Sequence, residues 1–177
     1  MRTRYRVLEP QAPHFITSTV VGWLPVFTTV ARCQIIVDSL EYCRAHKGLK
    51  VHAWVILDSH LHAILTAPDL PRVIADFKRH TARRLIELLE AENADWLLHL
   101  MRQWCPGYKT QSDIQFWQEG YHPEALFSDA VMEQKLEYLH NNPVKRGLVA
   151  APEHWRFSSA HEWCSGTTPL LRCDPWR

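Results

Sequence analysis

WVILDSHLHAILTA, residues Trp54–Ala67, is the stretch around which the chain is organised. It is rich in Val, Ile and Leu, and Asp58, Ser59, His60 and His62 interrupt its apolar character. Side chains two residues apart on a strand point to the same face, so the two histidines are expected to project together. Two adjacent imidazoles can share one divalent metal ion, although polar residues on an open strand face would give the same pattern.

Composition places the chain among folded globular proteins. It has 177 residues, of which 46% are hydrophobic and 8 are tryptophan, and this is enough for one domain with a real core. The formal net charge is only +1, so binding to nucleic acid would have to rely on local basic patches. The sequence shows neither a secretory signal pattern nor an apolar run of membrane-spanning length, so we expect a cytoplasmic protein.

The cysteines favour neither a disulfide framework nor a zinc finger. There are 5 of them, an odd number, and no two form a C-x-x-C pair. His161, Cys164 and Cys173 do not have the spacing of a standard zinc site. We therefore expect reduced thiols.

Hydrophobic periodicity predicts a mixture of strands and helices. The predicted elements are a strand over His14–Val21, a helix over Thr29–His46 ended by Gly48, one bulged strand or two strands bent near Asp58 within the histidine stretch, a helix over Asp69–Glu92, a short helix over Trp96–Trp104, an interrupted aromatic strand segment over Ile114–Phe127, and a helix from Ser128 to about Asn142. The last helix is expected to end there because proline disfavours helical geometry in the preceding residue. The segment from Ala150 onward is expected to wrap around the domain.

The helix predicted over Asp69–Glu92 carries the densest basic patch in the chain. Its inward positions are apolar, and its outer face carries Lys78, Arg79, Arg83 and Arg84. Such a cluster is either an ordinary solvated helix surface or a set of phosphate contacts.

The helix that precedes Pro143 places chemically useful groups on one stripe. Val131, Lys135, Tyr138 and Asn142 follow one another at spacings of three and four residues. The neighbouring stripe is apolar and is expected to pack on the sheet; it consists of Met132, Leu136 and Leu139. An amide oxygen is a suitable ligand for a hard divalent metal, and a phenol is a weak nucleophile unless a cation or base lies close.

Four sequence motifs occur together in this chain: SHLH from Ser59, FWQEGYHP from Phe116, YLHNNPVKRGLV from Tyr138 and WRFSSA from Trp155. This combination resembles the REP-associated tyrosine transposases, relatives of the single-tyrosine insertion-sequence transposases in the HUH nuclease superfamily. The resemblance extends over about Tyr5–Trp163. It implies an α+β ferredoxin-like sandwich, with an antiparallel sheet and helices mainly on one face. We expect residues 1–177 to form one such domain, with a C-terminal tail from about residue 150.

The resemblance also implies a catalytic centre. His60, His62 and Asn142 would be ligands of Mg²⁺ or Mn²⁺, and Tyr138 would attack a phosphodiester of single-stranded DNA. The products would be a 5′-phosphotyrosine link and a free 3′-hydroxyl that can rejoin strands. The expected function is therefore that of a metal-dependent endonuclease and strand transferase.

The expected DNA substrate is single-stranded DNA next to an imperfect, REP-like hairpin. The candidate DNA-binding residues are Lys78, Arg79, Arg83, Arg84, Trp117, His122, Lys145 and Arg146, with Tyr121 as a further possible base contact. Trp117 and Tyr121 would serve equally well in core packing, and Lys145 and Arg146 would equally compensate the dipole of a helix end. The extra C-terminal segment favours a monomer over a dimer.

Two other functions fit the same residues. One is a non-catalytic module that binds single-stranded nucleic acid, and the other is a metallohydrolase that uses a metal-bound water. The chain also departs from many relatives, because Asp58 and Ser59 stand where those have Pro-Asn or Pro-Glu. Asp58 either supports the metal site or turns the strand. His140 is expected to be a surface or packing residue, with a role in proton transfer left open.

Overall fold

The computed structural model describes residues 12–107, 113–166 and 170–176. The strands are β1 (His14–Thr19), β2 (Lys50–Ile56), β3 (His60–Thr66) and β4 (Glu124–Ala125). The helices are α1 (Val30–Lys47), α2 (Leu70–Ala91), α3 (Asp95–Gln103), α4 (Asp129–Lys145) and α5 (Ala160–Ser165). Short 3₁₀ turns cover Val21–Trp23 and Pro152–His154.

The four strands form one antiparallel sheet in the order β2-β3-β1-β4. Read along the chain, β1-α1-β2-β3-α2-β4, with α3 as an additional helix between α2 and β4, gives the βαββαβ arrangement of a ferredoxin-like fold. The predicted α+β sandwich is therefore confirmed. Helices α1, α2 and α3 bury their apolar residues against one face of the sheet, whereas α4 packs on the other.

Alternation along β3 sorts its residues between two cores. Leu61 and Leu65 point into the core beneath α1 and α2. Ile64 points into the smaller core beneath α4, together with Phe15 and Val55 of the neighbouring strands. His60 and His62 share the parity of Ile64, so they lie on the side of the sheet that α4 covers.

Local capping signals explain where the first two long helices start. The Thr29 hydroxyl accepts a hydrogen bond from the backbone of Arg32, and the Asp69 carboxylate accepts one from Arg72. Helix α1 ends at Gly48, whose φ of 64° lies in the left-handed region that glycine tolerates best. These boundaries agree with the predicted ones to within a residue or two.

The histidine stretch forms two strands joined by a tight turn. The backbone N–H of Leu57 donates to the carbonyl of His60 at 2.8 Å and closes the hairpin across Asp58 and Ser59. This settles the choice between one bulged strand and two strands. The irregularity lies earlier, where the register of β2 shifts between Val51 and Ala53.

The outer edge of β2 is covered by the C-terminal part of the chain. The backbone of Ile56 donates to Phe157, and that of Ser159 donates to Trp54. Further along the same edge, the carboxylate of Asp174 accepts from the backbone N–H of Val51 at 2.8 Å. The tail therefore wraps around the domain as expected and protects an otherwise open strand edge.

The prediction that the fourth helix ends at Asn142 is wrong, because α4 continues through Pro143 to Lys145. A proline lacks the N–H that would bond to the residue four positions earlier, and its ring crowds that carbonyl. Pro143 lies in the last turn of α4, where little helix remains to be disrupted. The ring of Pro143 is buried, and Arg146 bonds back to the carbonyl of Asn142 at 3.1 Å. Packing and the resumed hydrogen bonding carry the helix past the proline.

The aromatic segment over residues 114–127 forms little regular strand. It follows the edge of β1 through a bridge between Val20 and Trp117 and a bond from Thr17 to the carbonyl of Tyr121. Positive φ angles at Gly120 and His122 break the pairing before β4 begins. The predicted interruption of this strand is confirmed.

The predicted single-domain range includes residues 1–11, 108–112, 167–169 and 177, which lie outside the described residues. In the described ranges, none of the helices is both long enough and apolar enough to cross a membrane.

Candidate active site

Two buried imidazoles lie side by side on the face of β3 that α4 covers. The ring centroids of His60 and His62 are 4.7 Å apart, with their planes inclined at 77°. Strand alternation explains this proximity, since Leu61 between them points into the opposite core. The expected pairing of the two side chains is therefore present in the fold.

Hydroxyl groups fix one nitrogen of each ring. The Nδ1 atom of His60 lies 3.1 Å from the hydroxyl of Ser59, and that of His62 lies 2.9 Å from the hydroxyl of Thr17. Thr17 is the direct partner of His62 in the register of β1 and β3. In both rings a hydroxyl holds Nδ1, so Nε2 is the nitrogen that could bind a metal when Nδ1 carries the ring proton.

Burial keeps both histidines neutral. Loss of solvation lowers the pKa of His60 to about 4, and the nearby Arg146 guanidinium contributes to the lowering. Loss of solvation also lowers the pKa of His62 to about 3, helped by His60 and Lys135. Near neutral pH each ring therefore has an unprotonated nitrogen, which is the form that binds a metal.

The phenol of Tyr138 stands next to this pair. Its ring centroid is 5.7 Å from that of His62 and 5.9 Å from that of Phe15. The side chain is 42% exposed, so it remains accessible to a large substrate. The ammonium of Lys145 lies 5.6 Å from the Tyr138 ring and provides positive charge beside it.

Asn142 lies between two anchored positions of α4. Tyr138 is one turn before it and contacts His62, whereas Arg146 is one turn after it and binds the carboxylate of Asp58. This spacing puts the half-buried Asn142 on the side of the helix that faces the histidine hairpin.

The residues present suit a hard divalent cation with nitrogen and oxygen ligands. Two neutral imidazoles supply nitrogen, and an amide supplies oxygen. Among the described residues, no three His, Cys, Asp or Glu side chains are grouped so that they could hold a metal ion. A site here would therefore depend on the amide of Asn142 and on oxygens from substrate or water.

No family model matches the sequence. Over 128 residues, 72% of this chain, it is 20% identical to a REP-associated tyrosine transposase of Escherichia coli, of which the match covers 64%. A Haemophilus influenzae protein provisionally given the same name is 24% identical over 116 residues, 66% of this chain and 61% of that relative. A solved structure of a REP-associated tyrosine transposase bound to a REP hairpin covers 100% of this chain and 94% of its own, with a TM-score of 0.67 and 20% identity. Both curated proteins and the solved structure to which this chain is similar are named as REP-associated tyrosine transposases. The matches span less than two thirds of the two curated relatives.

The predicted basic patch lies on α2, across the sheet from the histidines. Arg79, Arg83 and Arg84 are exposed there and line a groove of about 850 Å³ between α1 and α2. Arg79 pairs with Asp76. The structure thus separates these arginines from Tyr138, and it brings only Lys145 and Arg146 of the predicted basic residues to the site.

Lys78 differs from its basic neighbours. It is half-buried, and its ammonium donates hydrogen bonds to the backbone carbonyls of Gln118 and Gly120. Its contacts therefore tie α2 to the segment over residues 114–127, which lies along the edge of β1. The charge pattern of the helix does not reveal this structural role.

Base stacking on Trp117 is not supported by its position. The side chain is only 5% exposed, its indole N–H donates to the hydroxyl of Thr81, and its ring packs near Phe27. Tyr121 also packs against this core, whereas His122 is exposed. Of the two open interpretations of Trp117, core packing is correct, because the aromatic pattern of its segment serves the core beneath α1 and α2.

His140 is a packing residue and not a surface residue. It is 6% exposed, and its Nε2 lies 2.8 Å from the hydroxyl of Ser159. Burial lowers its pKa to about 4. The ring therefore links α4 to the tail segment that covers β2, away from the face that Tyr138 occupies.

The sequence analysis assigned no role in the site to three residues around the histidines. Thr17 and Ser59 hold the Nδ1 atoms, and Trp23 stacks edge-on against His60 at 5.3 Å. Strand alternation could have put Thr17 on the correct face. Its pairing with His62 depends on strand register across 45 residues, which the sequence does not encode locally.

Proposed function

We propose that this chain cleaves and rejoins single-stranded DNA in a metal-dependent reaction, with Tyr138 forming a 5′-phosphotyrosine intermediate. The observation that supports this best is the position of the phenol, whose ring is 5.7 Å from His62 and therefore beside the imidazole pair. The names of the curated relatives, both REP-associated tyrosine transposases, support the same reaction class.

His60, His62 and Asn142 would hold Mg²⁺ or Mn²⁺. When bound, such an ion polarises the scissile phosphate and stabilises the charge that develops on its oxygens. The chain contributes neutral imidazoles, because burial suppresses their protonation. It also contributes the Lys145 ammonium beside the phenol, which can pair with a phosphate oxygen of the substrate.

The proposed reaction exchanges one phosphodiester for another. The Tyr138 oxygen forms a bond to phosphorus while the bond from phosphorus to the 3′-oxygen breaks. The phenol gives its proton to solvent, which the exposed side chain can reach, and the 3′-oxygen acquires one. In the reverse direction a 3′-hydroxyl attacks phosphorus and releases the tyrosine, so rejoining needs no nucleotide cofactor.

A hairpin next to the cleavage point is the proposed recognition element. The structural neighbour was solved with a REP hairpin bound, and this chain shares its fold. The exposed arginines of α2 lie across the sheet from Tyr138, so they would contact DNA away from the scissile phosphate. Because Tyr138 meets His62 of its own chain, the proposal includes catalysis in cis by a monomer.

Incubation with end-labelled single-stranded DNA containing a hairpin, with Mn²⁺ present, tests the proposal. We expect a covalent protein–DNA adduct that Tyr138→Phe abolishes and that Tyr42→Phe, an exposed tyrosine on α1, leaves unchanged. His60→Ala and His62→Ala are expected to abolish cleavage while the circular dichroism spectrum stays that of the folded protein.

The alternatives predict different outcomes of the same assay. Cleavage that survives Tyr138→Phe would indicate a metallohydrolase that uses a metal-bound water. Hairpin binding without cleavage at any Mn²⁺ or Mg²⁺ concentration would indicate a non-catalytic module. Either outcome rejects the tyrosine mechanism.

A further inference from the structure

A continuous chain of hydrogen bonds joins the end of α4 to the first histidine. Both terminal nitrogens of Arg146 donate to the carboxylate of Asp58, at 2.7 and 3.0 Å. The hydroxyl of Ser59 donates to the same carboxylate at 3.2 Å and lies 3.1 Å from Nδ1 of His60. Asp58 and Ser59, the two residues of the hairpin turn, thus form the centre of this hydrogen-bond network.

The chemistry of these groups fixes the direction of each hydrogen bond. An ionised carboxylate only accepts hydrogen bonds, and a serine hydroxyl has one hydrogen to donate. Because Ser59 donates that hydrogen to Asp58, its oxygen can meet His60 only as an acceptor. The Nδ1 atom of His60 must then carry the proton, which leaves the lone pair on Nε2.

The second histidine has no comparable constraint. Among the described contacts, the hydroxyl of Thr17 binds Nδ1 of His62 and no carboxylate accepts its hydrogen. A hydroxyl in that situation can donate or accept. His60 is therefore the ring whose tautomer the fold determines.

The same carboxylate also links the helix that carries the tyrosine to the histidine hairpin. Arg146 follows Tyr138 by two turns, and its two-pronged contact holds the end of α4 against the turn between β2 and β3. The two side chains are 38% and 36% exposed, so the ion pair contributes little to overall stability. What the ion pair sets is the position of the end of α4 relative to the turn between β2 and β3.

We infer that Asp58, Ser59 and Arg146 are positioning residues that fix His60 in the tautomer with Nε2 free for a metal and align α4 with the histidine pair. The metal-binding consequence rests on the proposed function, whereas the tautomer is a property of the protein alone. Asp58→Asn is the sharpest perturbation, because its amide can donate to Ser59 and release the hydroxyl hydrogen toward Nδ1.

Nitrogen-15 NMR of histidine-labelled protein, without metal or DNA, measures the tautomer directly. We expect His60 to carry its proton on Nδ1 in the wild type and to shift toward the Nε2–H form in Asp58→Asn and Ser59→Ala. Arg146→Lys leaves Asp58 as an acceptor and is expected to keep the Nδ1–H form. Mn²⁺ titration should show about tenfold weaker binding in Asp58→Asn, the usual scale for loss of a supporting residue.

An Nε2–H form in the wild type, or an unchanged tautomer in both Asp58→Asn and Ser59→Ala, would overturn the inference even if the enzyme cleaves DNA. A tautomer that responds as expected supports it even if no DNA is cleaved, in which case only the proposed function fails. Asp58→Asn keeps the side-chain shape at a half-exposed site and provides the decisive variant if Ser59→Ala does not fold.

Discussion

Acid should destabilise this protein through its buried histidines, and His140 offers the cleanest measurement because it lies outside the proposed catalytic centre. Burial lowers its pKa from 6.5 to about 4, so the folded state holds the neutral ring. The contribution of His140 to the free energy of unfolding is fully present above its pKa in the unfolded state. It is lost as the pH falls from that value toward the lower pKa of the folded state. Between about pH 7 and about pH 5 the loss amounts to roughly 2 kcal/mol.

Urea denaturation at these two pH values, followed by circular dichroism, tests this account. Between the higher and the lower pH, the free energy of unfolding of His140→Gln is expected to fall by about 2 kcal/mol less than that of the wild type. This difference does not depend on how stable the variant is at the higher pH. Ser159→Ala is the matched control. It removes the hydrogen-bond partner of His140 but keeps the buried ring, so the wild-type pH dependence should remain. An unchanged pH dependence in His140→Gln would refute the reasoning.

Three further measurements address packing, the strand edge and the thiols. Leu139→Ala should cost about 2–5 kcal/mol in chemical denaturation because the side chain is fully buried beneath α4, whereas exposed Leu148→Ala should cost less than about 0.5 kcal/mol. Asp174→Ala should lower the free energy of unfolding by about 1–3 kcal/mol and promote aggregation seen by light scattering, since it removes the carboxylate that accepts from the backbone N–H of Val51 at the edge of β2; unchanged values would show that this carboxylate does not help to hold the tail on that edge. Iodoacetamide should modify exposed Cys164 well before Cys33, whose pKa burial raises to about 12, and mass spectrometry showing the reverse order would contradict the buried position of Cys33.

The parts of the fold that could be predicted, chiefly the positions of the long helices, depend on local sequence signals. The first two long helices were predicted from hydrophobic periodicity and from the glycine at 48. The structure begins them at the Thr29 and Asp69 caps, and the predicted ends were close because caps act on their own turn of backbone. The extent of α4 was mispredicted, because buried packing of Pro143 and the hydrogen bonds after it outweigh the local preference of the residue before a proline.

The candidate site was predictable only in part. Alternation paired His60 with His62, and helical spacing put Tyr138 and Asn142 on one stripe. That the stripe meets the histidines depends on how α4 docks on the sheet, and no local rule specifies this. The contact between Asp58 and Arg146 joins residues 88 positions apart and was equally inaccessible to sequence patterns.

Burial explains the aromatic and basic residues whose roles the sequence left open. From the sequence, Trp117 could stack on a DNA base, but in the structure its side chain is buried. The sequence likewise gives Lys78 the same role as three neighbouring arginines, whereas in the structure its ammonium donates to two backbone carbonyls. Composition cannot separate an exposed aromatic or cation from an enclosed one, since both depend on tertiary contacts.

The central claim is that the Tyr138 oxygen is the atom that becomes joined to DNA. Digestion of the protein–DNA adduct with nuclease and trypsin, followed by tandem mass spectrometry, locates the modified residue. The account predicts a nucleotide attached through its 5′-phosphate to Tyr138, in the peptide from residue 136 to residue 145. A nucleotide on any other residue, or cleaved DNA with every tyrosine unmodified, would contradict it.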